Sequence, residues 1–443
     1  MIRKLLSCRV LHRILGLIGA VVLLEPLGWS QQFSRLDRER AQVMLENVAA
    51  DVRREYYDPE LHGIDWDAKV RAAKKEIAST TSIARATSEI AAVLEALNDS
   101  HTFFLPPEYT ARVDYGWQFQ MVGNRPYVTQ VRPGSDAESK GMKPGDEVVM
   151  IDGFTPTRES LWKMEYALNV LSPQSGLQIG LIDPLSKKFR KINVQADIRQ
   201  RARIKSPLDQ AARLDSEEAR QLARPRYEEV GADLMILKIP SFIQSKLEVE
   251  GLLDRARMHK TLIVDLRGNG GGIEDVLKYW LGGMFQSDVR MAERVTRGKK
   301  ELLKVKSNHH HAFSGKLIVL VDSGSASASE LFARVVQIEK RGNVLGDRTS
   351  GRTMEGEFCV HLTEGSIYGA MVTHADLVMA DGKSLEHVGV TPDETVLPLA
   401  ADLASGRDPA MSRAAGMAGV ELSPESAGKM FPREWATDHT FVF

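Results

Sequence analysis

The sequence predicts an α/β chain of several modules: a helical N-terminal segment, a small β-rich barrel and an α/β core. Three observations carry this expectation. Residues 33–108 place apolar side chains three and four apart among charges, which is the helical period. Residues 113–200 change to short β-rich runs separated by Gly and Pro turns. From residue 233, continuous apolar strands alternate with helical stretches, the pattern of a sheet buried on both faces. The 443 residues leave room for about three domains of roughly 150 residues each.

The first thirty residues read as an export signal. Arg3, Lys4, Arg9 and Arg13 precede an apolar run over residues 14–24, and Gly28-Trp29-Ser30 offers small residues where a signal peptidase cuts. The run is well short of the ~20 residues that span a bilayer. An uncleaved anchor is the alternative. Cys8 precedes the apolar run, which argues against a lipoprotein site. Cleavage near Ser30 leaves Cys359 as the only thiol, so stability must come from packing without an internal disulfide. One cysteine also builds no zinc site of the Cys-pair type. The expected location is periplasmic or extracellular, with membrane association only through an uncleaved signal.

Residues 33–57, 66–78 and 81–99 are the expected helices of the N-terminal segment (31–112), the last opening on Thr or Ser suited to capping. In the barrel, runs at 117–122, 125–131, 146–153, 177–183 and 189–196 are the strands and 159–171 is one helix. Residues 201–232 are charged and Arg-rich and read as a solvated linker. In the core, strands are expected at 234–242, 261–268 and 316–323, and helices at 245–258, 273–285 and about 326–341. Further strands follow at 359–362, 366–380 and 388–396, with the core ending near residue 418 and a tail over 419–443. The 58 basic and 59 acidic side chains nearly cancel, which excludes the concentrated positive field that non-specific nucleic-acid binding needs.

Two segments carry the chemistry. Val321-Asp322-Ser323-Gly324-Ser325-Ala326-Ser327-Ala328-Ser329-Glu330 joins a strand to a helix. A serine there meets unpaired N–H groups and a dipole that favours developing negative charge. Helix capping is the plainer use of such serines. The second segment is Asp265-Leu266-Arg267-Gly268-Asn269-Gly270-Gly271-Gly272, whose glycines let backbone amides face a ligand. It is not a phosphate loop: the Gly-Lys-Ser/Thr ending is absent and Ile273-Glu274-Asp275 would repel phosphate.

Together these segments resemble the carboxyl-terminal processing (tail-specific) serine proteases of family S41. Asp381-Gly382-Lys383-Ser384-Leu385-Glu386-His387-Val388-Gly389-Val390-Thr391-Pro392-Asp393 is similar to that family's C-terminal signature. Residues 113–200 resemble the family's PDZ module, with Gly116-Trp117-Gln118-Phe119 at the carboxylate-binding loop and Pro133-Gly134-Ser135 and Gly141-Met142-Lys143-Pro144-Gly145-Asp146 at its later turns. The resemblance covers about residues 35–418 and implies a crotonase/ClpP-like ββα protease core (233–418) behind the PDZ-like barrel and helical segment.

The resemblance makes Ser327 the nucleophile. One branch of the family activates it with a lysine in a Gly-x-x-Thr-x-Gly-Lys segment. Here Gly346-Asp347-Arg348-Thr349-Ser350-Gly351-Arg352 puts arginine at that position, and arginine stays protonated and accepts no proton. Lys340 and Lys383 are the remaining lysine candidates. Another branch, including the tricorn core, uses Ser-His-Glu. Leu97-Asn98-Asp99-Ser100-His101-Thr102 resembles its histidine segment, and Glu386 matches its glutamate. Histidine can take the serine proton and return it to the leaving amine, while a carboxylate on its other nitrogen fixes the tautomer. The oxyanion hole would use backbone amides of Gly270, Gly271 and Ala328.

Arg352 then needs another role: pairing with Glu355, Glu357 or a substrate carboxylate, or marking a site that has lost activity. The implied function is an exported serine endopeptidase acting on unfolded or C-terminally exposed polypeptide. The alternative is an inactive scaffold that binds peptides. Gln118 replaces a glycine common in the PDZ loop, which leaves C-terminal reading open. His309-His310-His311 has no accompanying carboxylate pattern and reads as a solvated loop. No cofactor or metal is expected.

Overall fold

A computed structural model describes residues 33–107, 111–200, 221–363, 366–432 and 435. The expected export signal and residues 201–220 of the expected linker lie outside the described residues.

Helix α1 (Arg35–Glu55) opens on a reciprocal cap between Ser34 and Asp37. Asp65 caps α2 (Trp66–Ser79) and Ser82 caps α3 (Ile83–Glu95), each accepting a bond from the backbone three residues on. Leu45, Val48, Val52, Ile77, Ile90 and Leu94 face inward and are fully buried. After a short strand β1 (Phe103–Leu105) comes the β module: β2 (Ala111–Asp114), β3 (Trp117–Val122), β4 (Arg125–Val131), β5 (Glu147–Ile151), helix α4 (Leu161–Tyr166), β6 (Gly176–Ile182), β7 (Phe189–Gln195) and β8 (Asp197–Gln200). Strands β3 to β7 form an antiparallel meander with β3 at one edge, and β2 pairs with β8. Val128, Val148, Ile179 and Val194 fill its core against Met164 of α4.

The core follows in the order β9 (Arg226–Val230), β10 (Leu234–Lys238), α5 (Lys246–Ala256), β11 (Thr261–Asp265), α6 (Glu274–Gly282), β12 (Val289–Thr296), β13 (Lys299–Val305), β14 (Lys316–Val321), α7 (Ala328–Ile338), β15 (Gly342–Gly346), β16 (Glu355–Thr363), β17 (Ser366–Met379), β18 (Glu394–Thr395) and α8 (Pro409–Met417). The main sheet runs β18-β15-β14-β11-β10-β9, parallel except for β9. Its strands are apolar on both faces because both are covered. Helices α5, α6 and α7 pack on one face, and residues 410–431 pack on the other.

Three expectations need correction. Residues 226–230 are not linker but the antiparallel edge strand β9. Both of its faces are largely exposed, so no apolar alternation announces it. Residues 419–431 are not a free tail: Ala427 is buried against the main sheet, and Val420, Leu422, Met430 and Phe431 pack there. Their apolar residues lack a helical or strand period. Within 388–396 only Glu394–Thr395 is a strand. The helical segment also shares its core with the far end of the chain. Tyr368, Ala370, Met371 and Val372 of β17 are buried among its helices. Cys359 on β16 is partly buried against the same cluster, where burial pushes its thiol up to about 11.

Candidate active site

Strands β11 and β14 are parallel neighbours, and the loops at their C-terminal ends meet, where open α/β sheets bind ligands. The Gly268 N–H donates to Asp322 Oδ1 (2.8 Å) and the Ala326 N–H to the Asn269 carbonyl (2.9 Å). Asp265 and Arg267 form a forked pair with both bonds at 2.9 Å, and Arg267 reaches Asp408 at the start of α8. Each charge is buried only because the others are present.

The serines of the loop have separate uses. Ser323 Oγ donates to the Met121 carbonyl (2.6 Å), Ser325 Oγ to the Leu266 carbonyl (2.8 Å) and Ser329 Oγ to the Asn269 carbonyl (2.8 Å). Among the described residues Ser327 Oγ has no hydrogen-bond partner, so it does not cap α7. Ser327 stands at φ 53° and ψ −120°, a backbone state that costs about 1–3 kcal/mol. Its N–H holds that state by donating to the Arg352 carbonyl (2.8 Å) and to Glu330 Oε2 (3.1 Å). Gly271 is at φ +113°, and a Cβ there would stand 2.7 Å from Ser327 Cβ.

The expected oxyanion donors are not equivalent. The Gly271 N–H already donates to Asn269 Oδ1 at 2.8 Å. Among the described residues the N–H groups of Gly270 and Ala328 have no protein acceptor. Ala328 is the first residue of α7, where the helix leaves its N–H unpaired. These two amides are therefore the ones free to meet an oxyanion.

His101 follows α3, and its N–H donates to Asp99 Oδ1 (2.9 Å). Glu386 does not touch the imidazole. Ser100 stands between them: Ser100 Oγ is 2.8 Å from His101 Nδ1 and 3.0 Å from Glu386 Oε2. The Ser100 and Thr353 N–H groups also donate to Glu386 (2.8 and 3.0 Å). An ionised Glu386 only accepts, so the Ser100 hydroxyl donates to it and His101 Nδ1–H donates to Ser100. That assignment leaves Nε2 as the unprotonated nitrogen. Burial pushes the Glu386 carboxyl up, against these three donors. Burial first, and then the Arg352 guanidinium, lower His101 to about 3, with Glu355 opposing both. Among the described residues no hydrogen bond joins His101 to Ser327. Both line one cavity of about 2220 Å³.

Glu330, fully buried in the first turn of α7, holds the loop after β15. It accepts from Thr349 Oγ1 (2.5 Å), the Gly351 N–H (2.7 Å) and the Arg352 N–H (2.9 Å), besides Ser327. Burial pushes its carboxyl up to about 7. Arg352 is thereby fixed beside Ser327, with its guanidinium 5.4 Å from the Trp162 ring centroid. Glu355 is not its partner, since it binds Arg294 at 2.7 Å. Among the described residues Glu357 is not its partner either. Lys340 and Lys383 do not line the cavity.

The cavity continues along β3, where Trp117, Gln118 and Phe119 face it across from α4, and Trp117 stacks on Phe119 at 5.1 Å. Gly116 accepts the Arg132 N–H (2.8 Å) behind them. The far end of β3 meets the Ser327 loop through Met121 and Ser323. His309-His310-His311 forms an exposed turn away from the cavity. Sequence reasoning missed Ser100, Glu330, Trp162 and Glu165. Ser100 was signalled by its place before His101, and Glu330 by the Ser-x-x-Glu spacing of a capping box. Trp162 and Glu165 carried no signal.

Residues 233–396 match the model of peptidase family S41. The tail-specific protease of Haemophilus influenzae is 29% identical over 273 residues, covering 57% of this chain and 36% of that protein. The chloroplastic C-terminal processing peptidase of Tetradesmus obliquus is 25% identical over 387 residues, covering 81% of this chain and 77% of that one. The chain thus spans about a third of the Haemophilus relative's length. Among solved structures, mature CPAF complexed with lactacystin superposes with a TM-score of 0.62 at 15% identity, over 83% of this chain and 95% of that one. The photosystem II D1 C-terminal processing protease gives 0.52 at 21% identity, over 80% and 93%. At these identities the structural likeness speaks to the fold.

Proposed function

We propose that the chain, which belongs to peptidase family S41 through residues 233–396, is an exported serine endopeptidase acting on unfolded or C-terminally exposed polypeptide. The observation that carries the reading is the strained, unpartnered Ser327 hydroxyl sharing a cavity with His101, itself tied through Ser100 to Glu386.

In this reading His101 Nε2 takes the proton of Ser327 Oγ as the oxygen attacks a peptide carbonyl. The oxyanion is met by the Gly270 and Ala328 N–H groups, each such donor being worth about 10²–10³ in rate. The imidazolium that forms is stabilised by Glu386 through the Ser100 hydroxyl. His101 then protonates the leaving amine, and a water repeats the sequence to release the acyl chain from Ser327. A histidine–serine hydrogen bond that is absent in the free enzyme and formed on substrate binding is ordinary for such sites. The β3 edge would take an extended peptide as an added strand, in the manner of a PDZ groove, and lead it toward Ser327. Among the described residues no helix is long and apolar enough to cross a membrane.

One observation favours the inactive peptide-binding scaffold: the Arg352 charge beside His101 weakens the base. The test is cleavage of an unfolded protein by the full chain and by Ser327→Ala. Cleavage by the parent alone supports the peptidase. No cleavage by either between pH 5 and 9 refutes it.

A further inference from the structure

Arg352 is a cation held beside Ser327 with no ion pair among the described residues. Its carbonyl accepts the Ser327 N–H at 2.8 Å, so its side chain springs from the rim of the reaction site. The guanidinium lies against the Trp162 ring and faces the cavity shared with Ser327 and His101. Its Nε is cut off from water and has no acceptor. Among the described residues no carboxylate lies within ion-pair distance of it.

The carboxylates around it are engaged elsewhere. Glu330 accepts four donors, Glu386 is held by Ser100 and Thr353, and Glu355 is held by Arg294. Glu165 also lines the cavity and feels the Arg352 charge, yet burial still pushes it up to about 7, so near neutral pH it carries its charge only part of the time. A partly buried guanidinium without an ion-pair partner is costly, and its planar fork matches a carboxylate.

We propose that Arg352 is the binding group for a substrate carboxylate next to the scissile bond, so that the cleft favours peptides that present a carboxylate there over those that do not. The inference rests on the peptidase reading for its placement beside a scissile bond. The carboxylate belongs either to an Asp or Glu side chain or to the terminus of the bound chain. Its negative charge would offset the Arg352 field at His101, so the same contact that selects the substrate would strengthen the base.

The test measures binding separately from cleavage. Full-chain Ser327→Ala is titrated by fluorescence anisotropy with one labelled peptide, scanned with Gln and Glu at each position and made with a free-acid or amide terminus. At least one Gln-to-Glu or amide-to-acid exchange should tighten binding about tenfold or more, the effect of one charge-assisted contact. An internal position assigns a side-chain carboxylate, and the terminus assigns the α-carboxylate. Adding Arg352→Gln should abolish the preference, and Arg352→Lys should restore part of it. Equal binding of all peptides, including none, or a preference that survives Arg352→Gln overturns the proposal. Carboxylate-selective binding by a parent that cleaves nothing would defeat the peptidase reading while leaving Arg352 as the anion site.

Discussion

Ser100 Oγ lies 2.8 Å from His101 Nδ1, occupying the place beside the imidazole where a carboxylate would be expected. The carboxylate of Glu386 is one hydroxyl further away, at 3.0 Å from the same oxygen. In the proposed mechanism the charge that stabilises the imidazolium would act through a neutral group that also sets the tautomer.

Removing that hydroxyl should uncouple His101 without disturbing the nucleophile. Ser100→Ala is expected to lower kcat about 10–10²-fold with little change in KM, since orientation of the base matters in the transition state. Ser100→Thr keeps the hydroxyl and should recover most of the rate. Steady-state kinetics on a single peptide checks this, and a Ser100→Ala enzyme at parental kcat would remove the relay from the mechanism.

Gly271 is required by shape. A methyl at this position would meet Ser327 Cβ at 2.7 Å, on a backbone at φ +113° that side chains rarely adopt. Gly271→Ala should destabilise the fold by about 1–3 kcal/mol and displace the Ser327 turn. Urea unfolding together with activity per folded molecule reads both effects. The rate should fall further than the loss of folded protein explains. A stable, fully active Gly271→Ala would show that the nucleophile turn tolerates that displacement.

The parts of the site that were legible in the sequence are those whose spacing is local. The Ser327 turn, the glycine loop after β11 and the core strands announce themselves by short patterns and continuous apolar runs. Ser100 sits one residue from His101, yet its role depends on Glu386, 286 residues away. Gly271 was readable as flexible, but its amide was engaged by Asn269, a fact only packing decides. The same holds for β9 and the 419–431 segment. Their residues have no period of their own and are ordered by the sheet they cover. Trp162 and Glu165 belong to a helix of another module, so only the docking of that helix brings them to Arg352.

The charge beside His101 gives the pH dependence a definite sign. Its folded-state pKa is lowered to about 3 by burial and by Arg352, against about 6.5 in the unfolded chain. Between those values the unfolded chain binds a proton that the folded chain refuses. Stability from this residue is therefore full above about pH 6.5 and is lost as pH falls toward 3. The stability difference between the parent and His101→Gln should shift against the parent from pH 7.5 to pH 5, because the other carboxyl and imidazole groups titrate in both proteins and cancel. In activity, the acid limb of kcat/KM reports the free enzyme's base. It should lie well below 6.5 in the parent and move upward in Arg352→Gln, which removes the neighbouring charge. Denaturant unfolding at the two pH values and a pH–rate profile of both enzymes measure this. An acid limb near 6.5 that Arg352→Gln leaves in place would mean that the guanidinium does not act on His101.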